Sequence, residues 1–170
     1  PPRFEHFKPV CKTSQLDQCD QQSIVNAYDN SIRYTDHVLS RTLELLKENS
    51  PRFDTAMIYI SDHGESLGEK GLYLHGMPYS LAPSEQKRIP MLTWMRREDA
   101  LAWGLDADCM RRQLNNSLTH DSLYHSVLGL MGVGTSVYQP TQDIFSSCRS
   151  GLNSPALKGT AHDYRSATRQ

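Results

Sequence analysis

The sequence predicts an α/β fold: a parallel sheet sandwiched between helices on both faces. Three observations carry this. Apolar residues at helical spacing run over 20–49, a short apolar stretch of strand formers follows almost at once over 55–60, and a second such stretch lies at 89–95. Short apolar strands without clean alternation belong to parallel sheets buried on both sides, and a helix running directly into one fits a crossover unit.

In the first element, Ile24, Tyr28, Ile32, Thr35, Leu39, Leu43 and Leu46 recur at steps of three and four, one face of a long amphipathic helix. Asp20 is its expected N-cap and Ser50-Pro51 its stop. Asn26, Asp29, Asn30 and Asp36 are expected on its solvated or domain-facing side. The strand 55–60 ends at Ile60, and Pro90 stands near the start of the strand 89–95, where a missing ladder donor is tolerated. The intervening loop, 61–88, holds Gly64, Gly68, Gly71, Gly76, Pro78 and Pro83, and loops of such length are usually functional. Beyond it, 99–116 is helical in parts. A further helix is expected over 117–131, with Thr119 or Asp121 near its start and Leu123, Val127, Leu128 and Leu130 buried. Residues 1–150 form the folded portion, and 151–170 a loose polar tail.

Composition narrows the class. The chain has 170 residues, 38% of them hydrophobic, enough for a core. Its 18 basic and 19 acidic residues nearly cancel, so nothing points to nucleic acid. No run approaches the roughly 20 apolar residues of a membrane span, and Pro1-Pro2-Arg3-Phe4 does not open a signal peptide. Two or three strands cannot make a sheet buried on both faces, so the chain reads as a piece of a longer polypeptide whose domain extends before Pro1. Of the four cysteines, Cys11 and Cys19 bracket a hydrophilic stretch too short to bury either thiol, which favours a local disulfide and an oxidising compartment over two free thiols. Such a bridge would contribute about 2 to 3 kcal/mol. Whether Cys109 and Cys148 pair is open.

The chemistry lies where the loop begins, at Ser61-Asp62-His63-Gly64-Glu65-Ser66-Leu67-Gly68-Glu69. Catalytic groups of open α/β sheets gather at the carboxyl ends of strands, and Asp62 and His63 stand at such an end. Both can reach one metal ion if the backbone turns at once, which Gly64 permits; a carboxylate and an imidazole suit zinc. The alternative is a simple turn, with Asp62 accepting backbone amides and His63 solvated. His75, on the same loop, could hold a phosphate or protonate a leaving group, or be a surface histidine. Glu65 could orient a metal-bound histidine through a hydrogen bond. Glu69 and Lys70 read as solvated charges, His120 and Asp121 as capping and first-turn residues, and His125 as structural. Gly64-Glu65-Ser66-Leu67-Gly68 has the spacing of a serine-hydrolase elbow, but Asp62-His63 intervene before it and no helix can readily follow.

The stretches Asn26-Ala27-Tyr28-Asp29-Asn30-Ser31-Ile32, Ser61 through Glu69, and Gly71-Leu72-Tyr73-Leu74-His75-Gly76 together resemble the C-terminal half of the lipid A phosphoethanolamine transferases, a group that includes the mobile colistin resistance enzymes. The resemblance runs from about Phe4 to Arg149 and covers less than half of that family's catalytic domain. It implies the C-terminal half of an alkaline-phosphatase or sulfatase-like sandwich, preceded by transmembrane helices absent here, in the periplasm of a Gram-negative bacterium and anchored in its inner membrane. Asp62 and His63 match two zinc ligands, His75 the histidine that meets the substrate phosphate, and Cys11–Cys19 a disulfide of the periplasmic domain.

The implied reaction is zinc-dependent transfer of phosphoethanolamine from phosphatidylethanolamine to lipid A through a phosphothreonine intermediate, giving polymyxin resistance; a monomer is expected. The nucleophilic threonine, a further acidic ligand and a second histidine would all precede Pro1, and no threonine of this chain matches the nucleophile's surroundings. Two alternatives stand beside it. One is a sulfatase-like hydrolase, or a phosphoethanolamine or phosphoglycerol transferase acting on another glycan; the other is a non-catalytic fragment in which Asp62 and His63 only make a turn.

Overall fold

Asp20 caps the long helix as its sequence position requires: in the computed structural model, which describes residues 1–150, its carboxylate accepts from Ser23 N at 2.9 Å and opens α1 (Gln21–Asn49). That bond lowers the Asp20 pKa below the ordinary carboxylate value. Of the expected stripe on α1, Ile24 is buried and Tyr28, Thr35, Leu39, Leu43 and Leu46 are half-buried, but Ile32 is exposed and polar residues are buried beside it. Ser23, Ile24, Asn26 and Asn30 are buried, whereas Ile32 is 50% exposed. The reason lies in the N-terminal segment, which docks on the helix through its backbone. Asn30 Oδ1 accepts from His6 N and Phe7 N at 2.8 and 3.0 Å, and its Nδ2 donates to Phe7 O at 2.9 Å. Asn26 Nδ2 donates to Pro9 O at 2.8 Å. An extended segment offers unpaired amides and carbonyls, and an asparagine can satisfy both kinds at once.

The segment is stapled beside the helix start by Cys11–Cys19, eight residues apart in sequence. Replacing both cysteines by serine is expected to lower stability by about 2 to 3 kcal/mol, read as a lower urea midpoint under non-reducing conditions.

After α1 come β1 (Ala56–Ile60), β2 (Ser66–Leu67), β3 (Tyr73–Leu74), the single-turn helix α2 (Ser84–Lys87) and β4 (Met91–Met95). β1 and β4 pair antiparallel, Ala56 opposite Met95 and Ile60 opposite Met91. The helices and strands are those of an α/β chain, but a parallel arrangement of these two strands is corrected by this register. A parallel neighbour needs a crossover that carries the chain back along the sheet. Here the connecting loop leaves and re-enters at the same end, and its only α-helix among the described residues has four residues. Both strands are largely half-buried, and Leu92 is 48% exposed.

The described residues divide into two compact units, Pro1–Met95 and a second that begins at Arg96. The second holds α3 (Arg97–Ala102), α4 (Ala107–Arg112) and α5 (Asp121–Leu130). Its core includes Ala100, Leu105, Phe145 and the half-cystine Cys148, which pairs with Cys109 across 39 residues. The expected burial of α5 is also corrected. Ser122, His125 and Ser126 are buried, and Val127 is 38% exposed. The segment packed there supplies backbone donors: Gln139 N reaches His125 Nδ1 at 3.2 Å and Ile144 N reaches Ser126 Oγ at 3.1 Å. Polar side chains with partners can therefore be buried where leucines were expected. The tail expected over 151–170 lies outside the described residues.

Tyr138 donates its hydroxyl to Asp143 Oδ2 at 2.7 Å, and burial together with that carboxylate raises its pKa to about 12 from 10.0. A raised folded-state pKa favours folding below pH 10, a contribution lost as pH rises from 10 towards 12, because the unfolded tyrosine ionises first. A Tyr138→Phe variant should therefore show a flatter fall of melting temperature across that window than the parent chain.

Candidate metal centre

The site loop starts where β1 ends. Ser61 N donates to Pro90 O at 3.4 Å, keeping the loop's two feet together. Inside it β2 and β3 pair antiparallel, Ser66 opposite Leu74 and Leu67 opposite Tyr73. Extending that register by one step sets Glu65 opposite His75, and the side chains meet there: His75 Nδ1 lies 3.2 Å from Glu65 Oε2. Leu74, just before His75, has φ +62°, a conformation that costs a non-glycine residue about 1 kcal/mol or more. The hairpin is tied to the start of α1, because Gln21 Nε2 donates to Leu67 O at 2.5 Å.

His63 joins the pair from the other side. Its ring and that of His75 have centroids 3.7 Å apart at an interplanar angle of 32°. His63 Nδ1 is 2.9 Å from Gly64 O. A carbonyl only accepts, so Nδ1 carries the proton and Nε2 keeps its lone pair for a metal ion. The same reasoning gives His75 a proton on Nδ1, donated to the Glu65 carboxylate. Ligand atoms of His63, Glu65 and His75 all lie within 4.8 Å of one another. Glu65 Oε1 is buried without a hydrogen-bond partner, a costly state for a carboxylate oxygen that a bound cation would relieve. Two imidazoles and a carboxylate are a donor set zinc accepts, so these residues fit the metal.

Asp62 stands outside this cluster, with its side chain 89% exposed. Its Oδ1 accepts from the amide of His63 at 3.1 Å, the contact expected of a turn. Its Oδ2 is 3.7 Å from His63 Nε2. Two ligand atoms on one tetrahedral zinc are about 3.4 Å apart, given bonds of about 2.0 to 2.2 Å, so this separation also suits a shared ion. Gly64 is needed for a different reason than a turn. Its φ is not among the positive ones; instead a Cβ there would lie 2.0 Å from Glu85 O, in α2. Glycine lets α2 pack directly against the backbone that carries His63 and Glu65.

A sulfatase family profile matches residues 1–133. The chain belongs to the sulfatase family. Among its curated relatives, the phosphoethanolamine transferase EptA of Escherichia coli (strain K12) is 42% identical over 150 residues, 88% of this chain and 27% of the relative. The sulfatase-family chain therefore spans about a quarter of that relative's length. Among solved structures, the soluble domain of lipooligosaccharide phosphoethanolamine transferase A from Neisseria meningitidis superposes with a TM-score of 0.84 at 36% identity, over 89% of this chain and 46% of that one. The C-terminal periplasmic domain of phosphoethanolamine transferase EptC from Campylobacter jejuni gives 0.76 at 41% identity, over 85% and 45%.

Of the residues singled out from sequence in this sulfatase-family chain, His63, Glu65 and His75 come together and Asp62 lies at their edge. Glu65 is more central than its sequence position implied. The signal for it was present in Gly68 and Gly71, which punctuate a hairpin and so set residue 65 against residue 75. His120 precedes α5 as its N-cap residue, and His125 is held inside that helix, away from any donor cluster among the described residues.

Proposed function

We propose that the intact polypeptide transfers phosphoethanolamine from phosphatidylethanolamine to lipid A, with zinc held by Asp62, His63 and Glu65 and the substrate phosphoryl group met by His75. The observation that carries this is the convergence of His63 and His75 on Glu65, whose Oε1 is buried without a hydrogen-bond partner, in a chain whose relatives are named phosphoethanolamine transferases. Zinc bound there would lower the pKa of an attacking hydroxyl and offset phosphoryl charge. His75, anchored through Nδ1–H on Glu65, keeps Nε2 to bind a phosphoryl oxygen or, once protonated, to protonate the departing diacylglycerol oxygen. Glu65 fixes that tautomer. The nucleophile in this reading is a threonine outside the chain, giving a phosphothreonine that lipid A phosphate then takes over.

The periplasmic location of the Campylobacter jejuni neighbour and the two disulfides of this chain support an oxidising compartment outside the inner membrane. Among the described residues no helix is long and apolar enough to cross a membrane, so attachment to the bilayer is assigned to other parts of the polypeptide. The cationic group added to lipid A would weaken the attraction of polymyxins to the outer membrane.

A second reading, a sulfatase-like hydrolase, is favoured by the family match alone. The intact protein supplied with headgroup-labelled phosphatidylethanolamine and lipid A separates the two. Label on lipid A supports the transferase; free phosphoethanolamine with unmodified lipid A overturns it. Other glycan acceptors in the same assay test the choice of acceptor.

A further inference from the structure

Gln86 lies in α2, 20 residues beyond Ser66, yet it holds the chain on both sides of Glu65. Its backbone carbonyl accepts from Gly64 N at 3.0 Å. Its side-chain amide donates to Ser66 Oγ at 2.9 Å. Residues 64 and 66 flank the carboxylate, so a single residue holds the backbone amide before it and the side-chain hydroxyl after it. Ser66 and Gln86 are 1% and 7% exposed, which leaves little water to replace the bond if it is broken. Ser66 is also the residue paired with Leu74, so the same contact steadies the strand that presents His75. A ligand held by one flexible side chain on a loop would be poorly placed; buried hydrogen bonds behind it confine the backbone that carries it.

We propose that Gln86 is a positioning residue for the metal centre, fixing Glu65 against His63 and His75 through Gly64 and Ser66. The inference rests on the reading of His63 and Glu65 as metal donors beside His75. It is tested by titrating cobalt(II), a spectroscopic substitute for zinc, into the intact polypeptide and measuring affinity by chelator competition. Gln86→Leu, which keeps the backbone carbonyl and removes only the amide, should weaken cobalt binding by about tenfold or more and alter the visible band. Ser66→Ala should do the same, and the double variant should be no weaker than either single one, since both remove one contact. Gln86→Glu should restore most of the affinity, because the Ser66 hydroxyl can donate to the new carboxylate. If Gln86→Leu does not fold, Ser66→Ala, which removes one oxygen, carries the test. Parental affinity and spectrum in Ser66→Ala, or additive losses in the double variant, overturn the inference while leaving the metal reading intact. Absence of cobalt binding by the parent polypeptide overturns the metal reading and the inference with it.

Discussion

Alanine in place of His63 is expected to lower zinc affinity by more than about 100-fold and to reduce transfer by the intact protein to background. The magnitude follows from a comparison: groups that only orient a metal ligand cost 10–100-fold when removed, so a direct donor should exceed them. His63 is the common member of both arrangements at the site. It belongs to the cluster with Glu65 and His75, and its Nε2 lies 3.7 Å from Asp62 Oδ2. Its side chain is 39% exposed, so the loss should fall on metal binding and leave the fold in place. Metal analysis after dialysis, beside the far-ultraviolet dichroism spectrum, checks both halves. Asp62→Ala should lose less, because that carboxylate is 89% exposed and lies at the edge of the cluster. Unchanged zinc content in the His63 variant would remove the basis for the metal reading.

Gly64→Ala should be the most damaging methyl group in the site loop. The added Cβ would lie 2.0 Å from Glu85 O, 3.0 Å from Glu85 C and 3.2 Å from Arg88 O. All three are backbone atoms, so no side-chain rotation relieves the clash, and α2 must move away from the loop. That movement also breaks the Gly64 N to Gln86 O bond. Overpacking of this kind costs about 1 to 3 kcal/mol, and the lost hydrogen bond about 1 more, so a destabilisation of about 3 kcal/mol is expected. Gly134→Ala is the matched control, since nothing lies within 4 Å of its Cβ position and its φ is not positive; it should fall within about 0.5 kcal/mol of the parent. Urea midpoints of the two variants make the comparison. Equal midpoints would show that α2 does not sit against the backbone that carries His63 and Glu65.

The elements were legible wherever the signal was local. The 3.6-residue period and the Asp20 cap located α1, the run of strand formers located β1 and β4, and a strand end followed by Asp62-His63-Gly64 pointed to the candidate site. What could not be read was which partner each face would meet. The apolar stripe of α1 predicted burial of Ile32, but the docked N-terminal segment claimed Asn26 and Asn30 instead. On α5 a serine and histidine face took the interior for the same reason: backbone donors from a distant segment came to it. Burial follows from tertiary neighbours, and periodicity names only the candidates.

Strand direction and the donor cluster share that character. Whether β4 runs parallel or antiparallel to β1 depends on the path of the loop between them, and nothing in either strand's own residues encodes it. By itself the sequence singled out Asp62 and His63 at a strand end as candidate donors, because residue type and strand termination are properties of a few adjacent residues. Only the tertiary structure decided that Glu65 belongs with His63 and that Gln86 lies behind. Those assignments depend on the register of a two-residue hairpin and on a glycine without a Cβ beneath α2, relations between residues separated in the chain.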